Sequence, residues 1–577
     1  MREIKETKWE SAKRLLFCVT VASRPLRVEE LAEILAFDFK SGAIPTFRKD
    51  WRLKNPVEAV LSACSTLLSV VNVETYPETS RVVQFAHFTV KEFLMSSRFA
   101  DKHDAISRRY HISMLSAHTF VAQACLSVLL HLEQNVTRTS LVEFPLTEYA
   151  AEHWFEHARF EGVSQHAMES MKQLFDKTKP HLSIWIWIHD PTAAPPIYDL
   201  ILRSRMPRRR AREPSPPCHT PLRYATFCGL HDIAKILAIK YPEDVNSPSV
   251  ADGSSPLHVA SQRGHVNIAR MLIECGADVS ARREDGSIAL HLASHNGHVD
   301  LTHMLIERGA DISAQKENGS TVLHLTLENG HVDLTRTLVE RGADISAQDE
   351  RGRTALHLSS QNGHVDLVQM LIESGANVLA QDRDGLTALH LASEKGHVDL
   401  SRMLIERDAD VSAQDEHGCT ALHLSSMNGY VDLAQMLVER GADVSSQIKD
   451  GSTALHLASR SGHVDLACML VECGADVSAR GDEGCTALHY ASNIGNADLV
   501  QMLVKRGADM SVQDEHGCTA LHLASHYGHM DITRILVERG ADVSAQKKDG
   551  STALDLASKN GHAALRQMLI ECGTTAY

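Results

Sequence analysis

The 577-residue chain has few aromatic residues and no long apolar run. Aromatic residues make up 5% of it. Its most apolar short stretches, LSVLLHL (126–132) and LSIWIWI (182–188), are far shorter than the roughly 18–20 residues that span a bilayer. The N-terminus, MREIKETKWE, is charged and lacks the apolar centre of a signal peptide. The sequence therefore predicts a cytoplasmic protein that does not enter a membrane.

Basic charge is also in deficit, because the formal net charge is −15. This balance argues against a general binder of nucleic acid or acidic membranes. Twelve cysteines are scattered along the chain, which indicates reduced thiols rather than a disulfide framework. The apolar fraction of 43% excludes a mainly disordered chain, and the length predicts two or more folded units.

Motifs that would carry catalysis are missing as well. The sequence contains no G-x-S-x-G elbow, no H-E-x-x-H helix and no kinase motif set. It also has no G-x-x-x-x-G-K-[ST] loop to hold nucleotide phosphates. We therefore expect no enzymatic activity, no catalytic residue and no cofactor.

The octapeptide HGCTALHL occurs twice, at 417–424 and 516–523. Its two histidines and one cysteine resemble metal ligands, but a zinc site needs four converging ligands and no Cys-x-x-Cys pair supplies them. The two copies start 99 residues apart, which is three times 33. The threonine of the motif, or its substitute, recurs every 33 residues from Ser255 to Thr552. We therefore predict a structural role for this motif and no metal site.

One unit, residues 415–447, shows how each repeat is built. Asp415-x-x-Gly418 has the composition of a turn, and the segment from Thr420 opens a short helix. Gly429 ends that helix, and a second helix follows with Leu433 on its apolar face. Neither helix is long enough to bury its apolar face alone, so neighbouring units must stack.

This pattern resembles the ankyrin repeat, with T-A-L-H where that family usually has T-P-L-H. The resemblance covers residues 220–573 as about eleven units and implies an α-solenoid of paired helices with projecting finger loops. It also implies that the T-A-L-H histidines, such as His423 and His522, make local hydrogen bonds. Substitutions at Asp408, Tyr430, Asn496 and Asp555 depart from the pattern, and we interpret Asp555 as part of a terminal capping unit.

The first 200 residues do not share the period. We predict helices at Trp9–Ala22, at Arg27–Ala36 and from Pro56 through VEAVLSACSTLLSVV, followed by a hairpin of SVVNVE and RVVQFAHF. Three helices and a two-stranded wing indicate a winged helix. The fold class is therefore mainly α, and the predicted domains are a winged helix (1–103), a helical array (104–202), a basic and proline-rich linker (203–219) and the repeats (220–577).

A second resemblance covers this N-terminal part. RLLFCVTVASRPLRVEELAEILAFD, VVQFAHFTVKEFL and PLTEYAAEHWFEHA look like the segment that follows the nucleotide-binding domain of fungal NACHT–ankyrin proteins, which are STAND-class signalling NTPases. In that family the winged helix packs on the NTPase domain and the repeats act as the sensor. Without a phosphate-binding loop, the nucleotide-binding function is not carried over. An NTPase domain could still act from elsewhere in a longer chain or in trans.

Nucleic-acid binding by the winged helix is not expected. The segment RVEELAEIL, taken as the recognition helix, carries Glu29, Glu30 and Glu33, which would face phosphates with the wrong sign. The linker RSRMPRRRAREPSPPCH has two interpretations. It is an exposed spacer, or the arginines between Arg203 and Arg212 form a nuclear-localisation signal.

A repeat stack offers an extended concave surface to a protein partner. The resemblance to ankyrin proteins implies contacts on the finger tips and on the inner face of each first helix, which are the places where these otherwise uniform repeats differ. His526 and Tyr527 are the strongest anchors, because aromatic side chains are enriched at binding hot spots. The predicted partner-binding residues are Arg351, Arg353, Glu416, His417, Met427, Asn428, Arg460, Asn493, Ile494, Glu515, His516, His526 and Tyr527.

Three functions are consistent with the sequence. The first is the sensor portion of a NACHT-type receptor. The second is a stand-alone ankyrin scaffold or adaptor without a nucleotide switch, and the third is one subunit of an NTPase whose catalytic domain is a separate chain.

Overall fold

The computed structural model describes residues 8–39, 44–52, 54–64, 66–75, 78–96, 111–133, 136–192 and 219–574. The chain divides into two units, residues 1–311 and 312–577. The basic segment of the predicted linker, including Arg203 and Arg212, lies outside the described residues.

The first unit begins with a winged helix. Its helices are α1 (Trp9–Val21), α2 (Val28–Glu33, continued by a 3-10 turn Ile34–Ala36) and α3 (Pro56–Cys64). Strands β4 (Leu68–Thr75) and β5 (Glu78–Phe85) form the wing, and β1 (Leu26–Arg27) pairs with β5 on its other side. A small second ladder joins β2 (Phe37–Asp38) to β3 (Thr46–Phe47), and α4 (Phe88–Met95) follows the wing.

Two details of the predicted winged helix were wrong. The third helix ends at Cys64 rather than continuing through VEAVLSACSTLLSVV, because the β-branched Val70 and Val71 enter the sheet opposite Val83 and Val82. The helix that directly precedes the wing is α3, so RVEELAEIL, which forms α2, does not hold the recognition position assigned to it.

A helical array follows and packs on the winged helix. It consists of α5 (Met114–His131), α6 (Arg138–Leu141), α7 (Thr147–Ala158), α8 (Val163–Leu174) and α9 (His181–Ile188). The 18 residues of α5 are apolar enough, by length and composition, to cross a membrane. However, half of this helix is buried, and it packs against α1, α7 and α8 as the central helix of the array.

Eleven helix pairs fill residues 221–574, a range that the structure describes without a gap. The first unit contains the first three pairs: α10 (Pro221–Phe227) and α11 (His231–Lys240), α12 (Pro256–Arg263) and α13 (Val266–Glu274), α14 (Ala289–His295) and α15 (Val299–Glu307).

The second unit contains eight further pairs. They are α16 (Val322–Glu328) and α17 (Val332–Glu340), α18 (Ala355–Gln361) and α19 (Val365–Glu373), α20 (Ala388–Lys395) and α21 (Val398–Glu406), α22 (Ala421–Asn428) and α23 (Val431–Glu439), α24 (Ala454–Ser461) and α25 (Val464–Glu472), α26 (Ala487–Ile494) and α27 (Ala497–Lys505), α28 (Ala520–Tyr527) and α29 (Met530–Glu538), α30 (Ala553–Lys559) and α31 (Ala563–Thr574).

Each pair buries the face that its sequence predicts. In the pair α22–α23, Leu422, Leu433 and Leu437 are fully buried, and Met436 is 5% exposed. Gly429 lies between the two helices with φ +80°, as predicted for a residue that ends a helix in the left-handed region. Within the second unit, first helices of neighbouring pairs contact each other more extensively than most second helices do, so the first helices form the closely packed inner side.

Candidate functional site

The T-A-L-H histidine caps the N-terminus of every first helix on which it occurs in the second unit. In α22 the backbone N–H of Thr420 donates to Nδ1 of His423 at 3.1 Å, and the threonine hydroxyl lies 2.9 Å from the same nitrogen. On the other side of the ring, Nε2 donates to the carbonyl oxygen of Ser446 at 3.0 Å. The ring is fully buried. This histidine therefore caps its own helix and holds the loop that leads to the next repeat.

The same bridge occurs on five other T-A-L-H histidines of the second unit, whereas His522 contacts Thr519 through Nδ1 but its buried Nε2 has no hydrogen-bond acceptor among the described residues. In each of the five, Nε2 donates at 3.0 Å to a carbonyl oxygen 23 or 29 residues further along the chain. The remaining donor and acceptor residues are His324 and Arg353, His357 and Leu386, His390 and Cys419, His456 and Ala479, and His489 and Cys518.

These contacts fix the tautomer of each ring. A backbone N–H can only donate and a carbonyl oxygen can only accept, so Nδ1 must be the bare nitrogen and Nε2 must carry the proton. A second proton on Nδ1 would face the backbone N–H of the threonine. Burial lowers the pKa of these histidines, to about 4 for His258 in the first unit. It acts in the same direction on His423, although the carbonyl of Ser446 partly opposes the shift.

We predict that the repeat array loses stability as the pH falls below about 6.5. A histidine in the unfolded chain has a pKa near 6.5, and burial lowers that pKa in the folded protein. Between the folded and the unfolded pKa, the unfolded chain therefore binds more protons than the folded protein. The stabilisation is complete above about pH 6.5 and is lost below it, at about 1.4 kcal/mol per pH unit for each such histidine.

Urea unfolding at several pH values would measure this slope. Replacing the exposed His417 and His516 with asparagine should leave the slope unchanged, whereas His423→Asn should reduce it. Stability that stays constant or increases over this range would contradict the assignment.

A second row of histidines links neighbouring repeats at the turn between the paired helices. His463 Nε2 donates to the carbonyl oxygen of Met427 at 3.2 Å, and its ring covers Gly429. A Cβ atom on Gly429 would lie 2.6 Å from His463 Cε1. Glycine is therefore required there both by the positive φ and by the stacked ring.

Substitutions within the repeats keep related contacts, although not always with the equivalent residue. Asn496 replaces a histidine of the second row, and its amide still donates to the carbonyl oxygen of Gly462, at 3.1 Å. Asp408 takes the place of a glycine and has φ +66°, as its tolerance of the left-handed region predicts. In the last repeat the Asp555 carboxylate accepts from the backbone N–H of Thr552 at 2.9 Å, so it reproduces the cap and lacks the donor that reaches a following repeat.

The first HGCTALHL stretch is spread over different environments. His417 is exposed on a finger tip, the backbone N–H of Cys419 donates to Asp415, and His423 is buried in the row described above. Burial raises the pKa of the Cys419 thiol to about 11, so it is not poised as a thiolate ligand. Among the described residues, no three His, Cys, Asp or Glu side chains are grouped as metal ligands would be.

The finger loops are joined in series by their backbones. The N–H of Glu416 donates to the carbonyl oxygen of Asp384 at 2.8 Å, and the N–H of Lys449 donates to that of His417 at 2.9 Å. Glu515 donates to Glu483 in the same way, at 2.8 Å. The backbone groups at these fingertip contacts are therefore bonded to neighbouring fingers, while the side chains of Glu416, His417 and Glu515 are exposed.

Predicted binding residues on the inner side are also exposed. Among the described residues of the second unit, five large apolar side chains are exposed, and three of them end a first helix. These are Met427 (38% exposed), Ile494 (40%) and Tyr527 (52%). Polar neighbours on the same last turns complete a surface that we call the inner strip, formed by Met427, Asn428, Arg460, Asn493, Ile494, His526 and Tyr527.

Some of the predicted binding residues also have a structural contact. Arg353 is committed to its own turn, where its guanidinium contacts the Asp349 carboxylate at 2.7 Å. The carbonyl of His526 accepts from Asn560 and His562 of the last repeat, and its ring lies edge-on to Tyr527. Arg351 is exposed on a finger. The structure thus places the predicted residues in two regions, the fingers and the inner strip.

A buried polar junction in the first unit was not predicted. Glu30 of α2 is fully buried, and its carboxylate contacts the guanidinium groups of Arg24 at 2.8 Å and Arg27 at 2.9 Å. Burial opposes ionisation of Glu30, but the Arg24 hydrogen bond and charge outweigh it and lower the pKa. Arg27 also reaches Glu148 at the start of α7, so the winged helix is tied to the helical array.

Glu33 makes a second tie between the same two parts. Its carboxylate accepts from the backbone N–H of Leu146 at 2.7 Å and contacts the Arg52 guanidinium. Burial raises the pKa of Glu33 despite these partners. Glu30 and Glu33 thus face inward, which corrects the expectation that they would repel a phosphate backbone. The sequence signal that could have shown this is the pair of arginines before α2, Arg24 and Arg27, although sequence alone does not place Arg52 near Glu33.

A directed hydrogen-bond chain runs beside these ion pairs. The backbone N–H of Ser23 donates to the Tyr149 hydroxyl at 3.1 Å, so the hydroxyl proton is available to His157 Nε2, 2.9 Å away. His157 Nδ1 then donates to His118 Nδ1 at 2.9 Å. Burial lowers the pKa of His157 to about 3, so the chain is uncharged at neutral pH.

The helical array also contacts the first repeat within the same unit. Lys177 contacts the buried carboxylate of Asp244 at 2.9 Å, and the Ser164 hydroxyl donates to Asp232. The Trp185 and Tyr224 rings pack edge to face with centroids 6.2 Å apart. Polar and aromatic contacts therefore run from the winged helix through the array to the first helix pair.

Comparison with known proteins bears directly on this architecture. A family model described as ankyrin repeats matches successive stretches from residue 222 to residue 576, more than half of the chain. The chain belongs to the ankyrin-repeat family. A second model, described as the winged helix domain of GPI inositol-deacylase, matches residues 2–106. This order of winged helix and ankyrin repeats is that of fungal NACHT–ankyrin proteins.

One relative is described as "Azaphilone pigments biosynthesis cluster protein L" of Monascus ruber. It is 29% identical over 277 residues, which are 46% of this chain and 55% of that protein. The ankyrin chain thus spans about half the length of this curated relative. That description specifies no partner or reaction.

Proposed function

We propose that this ankyrin protein is a non-catalytic recognition module, the sensor and regulatory portion of a NACHT-type signalling receptor. The repeats provide protein–protein interaction. The observation that carries the proposal is the separation of roles within them. Rows of histidine and glycine hold the stack, while the side chains of Met427, Ile494 and Tyr527 are exposed on the inner strip. Two of these residues also contact the second row, Met427 through its carbonyl oxygen and Ile494 through its side chain beside Gly462.

The relay from sensor to switch is supported by the junctions of the first unit. Trp185 and Lys177 contact the first helix pair, and Glu30 and Glu33 connect the array to the winged helix. A partner that alters the packing of the first repeats therefore has a continuous set of contacts through which to shift the winged helix. In this role the winged helix would bias an NTPase domain, either in the same gene product or in trans.

The alternative is a stand-alone scaffold or adaptor. The exposed inner strip favours it equally, because a scaffold needs the same surface without the relay. In both cases we place the protein in the cytoplasm, with the nucleus as an alternative if the segment from Arg203 to Arg212 acts as a localisation signal.

The 5′ end of the native transcript separates the two functions. The receptor proposal expects coding sequence upstream of Met1 that contains a G-x-x-x-x-G-K-[ST] loop. Translation that starts at Met1 would overturn it in favour of the scaffold, unless nucleotide hydrolysis appears on mixing with a second chain. That result would support an NTPase domain in trans.

A further inference from the structure

The net negative charge of the protein lies in one of its two units. Residues 312–577 contain 37 acidic and 21 basic side chains, whereas the whole chain contains 73 and 58. The second unit therefore carries a net charge of −16 and the first unit a net charge of +1. A surface with this excess attracts a positively charged partner and repels acidic ones.

Part of this charge is used by the fold. The Asp415 carboxylate accepts from the backbone N–H groups of His417 and Cys419 at 2.8 and 2.7 Å. Asp410 accepts from Ser412 at 2.8 Å, and its equivalents in other repeats do the same. These carboxylates stabilise loops and would be present whatever the partner is.

A second group of carboxylates has no such use. Glu416 and Glu483 have side chains that are 54% and 60% exposed, and their only ion-pair partners among the described residues are exposed histidines, His417 and His516. These contacts of 3.4 and 3.6 Å are ionic only when the histidine is protonated. Glu515 is exposed on the same finger as His516. We call Glu416, Glu483 and Glu515 the acidic fingers.

The acidic fingers precede the first helices whose last turns form the inner strip. Glu416 precedes α22, which ends at Met427 and Asn428, and Glu515 precedes α28, which ends at Tyr527. Each finger leads directly into its first helix, and neighbouring fingers, like neighbouring first helices, contact each other along the unit. The surface therefore combines exposed apolar groups with carboxylates that the fold does not need.

We propose that the inner strip and the acidic fingers bind a protein segment that carries arginine or lysine around an apolar anchor. This inference rests on the proposed recognition function and specifies the chemistry of the partner. The apolar anchor covers Met427, Ile494 and Tyr527, and the basic side chains pair with the acidic fingers. Burial of the apolar groups supplies affinity, while the charges set partner choice and the association rate.

A designed peptide tests this chemistry on the full chain. The probe is an amphipathic helical peptide with leucine on one face and arginine on the other, and fluorescence anisotropy measures its binding at about 0.05 and 0.2 M salt. Matched peptides carry glutamine or glutamate in place of arginine. We expect the arginine peptide to bind most tightly and to weaken as salt rises.

Two triple variants with the same change in net charge separate a specific surface from general attraction. Glu416→Gln, Glu483→Gln and Glu515→Gln together should weaken binding of the arginine peptide about tenfold. The control variant combines Glu340→Gln, Glu439→Gln and Glu538→Gln, at the ends of second helices. It should change the affinity for the arginine peptide less than about twofold. Equal loss in both variants would overturn the proposal, as would equal binding of the glutamate peptide.

A third variant distinguishes failure of the partner chemistry from failure of the recognition surface. Met427→Ala, Ile494→Ala and Tyr527→Ala together should weaken the arginine and glutamine peptides alike. If this variant weakens binding while the finger variant does not, the surface remains and the basic partner is rejected. If neither variant weakens binding, the inner strip itself is rejected as the docking surface.

Discussion

Replacing Gly429 with alanine is expected to destabilise the repeat array by about 3 kcal/mol, whereas the same change at Gly441 should cost about 1 kcal/mol. Both glycines have positive φ, +80° and +97°. A Cβ atom on Gly429 would lie within 2.6 Å of the His463 ring, while a Cβ on Gly441 has no atom within 4 Å. The pair therefore isolates the stacked histidine from the backbone cost that both positions share.

Urea unfolding of the two variants, together with amide hydrogen exchange of the repeats around position 429, measures the difference. In a repeat array the loss should be largest in the repeats that contact the substitution, because each repeat is stabilised mainly by its neighbours. His463→Ala in the Gly429→Ala background should recover part of the stability by removing the clash. Equal losses at Gly429 and Gly441 would mean that the ring does not restrict the glycine.

Glu30→Ala should lower the stability of the winged helix by about 3 to 5 kcal/mol, because it leaves the guanidinium groups of Arg24 and Arg27 without their buried carboxylate. The neighbouring Glu29→Ala should cost less than about 1 kcal/mol. Glu29 pairs with Arg81 at 2.8 Å, but both side chains are more than a third exposed. The two variants remove the same chemical group from adjacent positions of α2.

Near-ultraviolet circular dichroism and urea unfolding of the full chain would follow this change, because aromatic side chains occupy the helical array that Arg27 contacts through Glu148. Loss of the array signal in Glu30→Ala and its retention in Glu29→Ala would support a role for the buried pair in joining the two parts. Equal stability of the two variants would contradict it.

The repeats could be predicted from the sequence to the level of single residues. A 33-residue period fixes the turn, both helices and the glycine between them, and the structure confirmed the turn at Asp415, the helix that ends at Gly429 and the left-handed Asp408. Local chemistry decides these features, since each depends on residues close in the chain. Longer contacts also became predictable because the period places equivalent residues in register.

The N-terminal part was predicted less completely because it has no internal repeat. Helical periodicity located α1 and α2, yet the third helix was extended too far into strand residues with the same apolar character. The Ser23, Tyr149, His157 and His118 chain joins residues up to 134 positions apart, and no local pattern reports such a contact. The orientation of Glu30 and Glu33 toward the interior likewise depends on tertiary packing.

The predicted binding residues likewise divide into features that follow from local sequence and features that depend on tertiary contacts. Exposure of Met427, Ile494 and Tyr527 follows from their position at the end of a first helix. The engagement of Arg353 by Asp349 could not be separated from a binding role by sequence variation alone. Glu483 was not among the predicted binding residues, although its side chain is 60% exposed on a finger, as those of Glu416 and Glu515 are exposed on theirs.

The most direct test of the separation between fold and recognition is the unfolding free energy of two variants, measured side by side in urea. Met427→Ala, Ile494→Ala and Tyr527→Ala combined should change it by about 1 kcal/mol or less, because these side chains are exposed. His423→Ala should lower it by about 2 to 4 kcal/mol, since the change removes a buried side chain and both of its hydrogen bonds. A loss in the triple variant as large as that in His423→Ala would show that the inner strip belongs to the core of the fold and is not a surface kept for a partner.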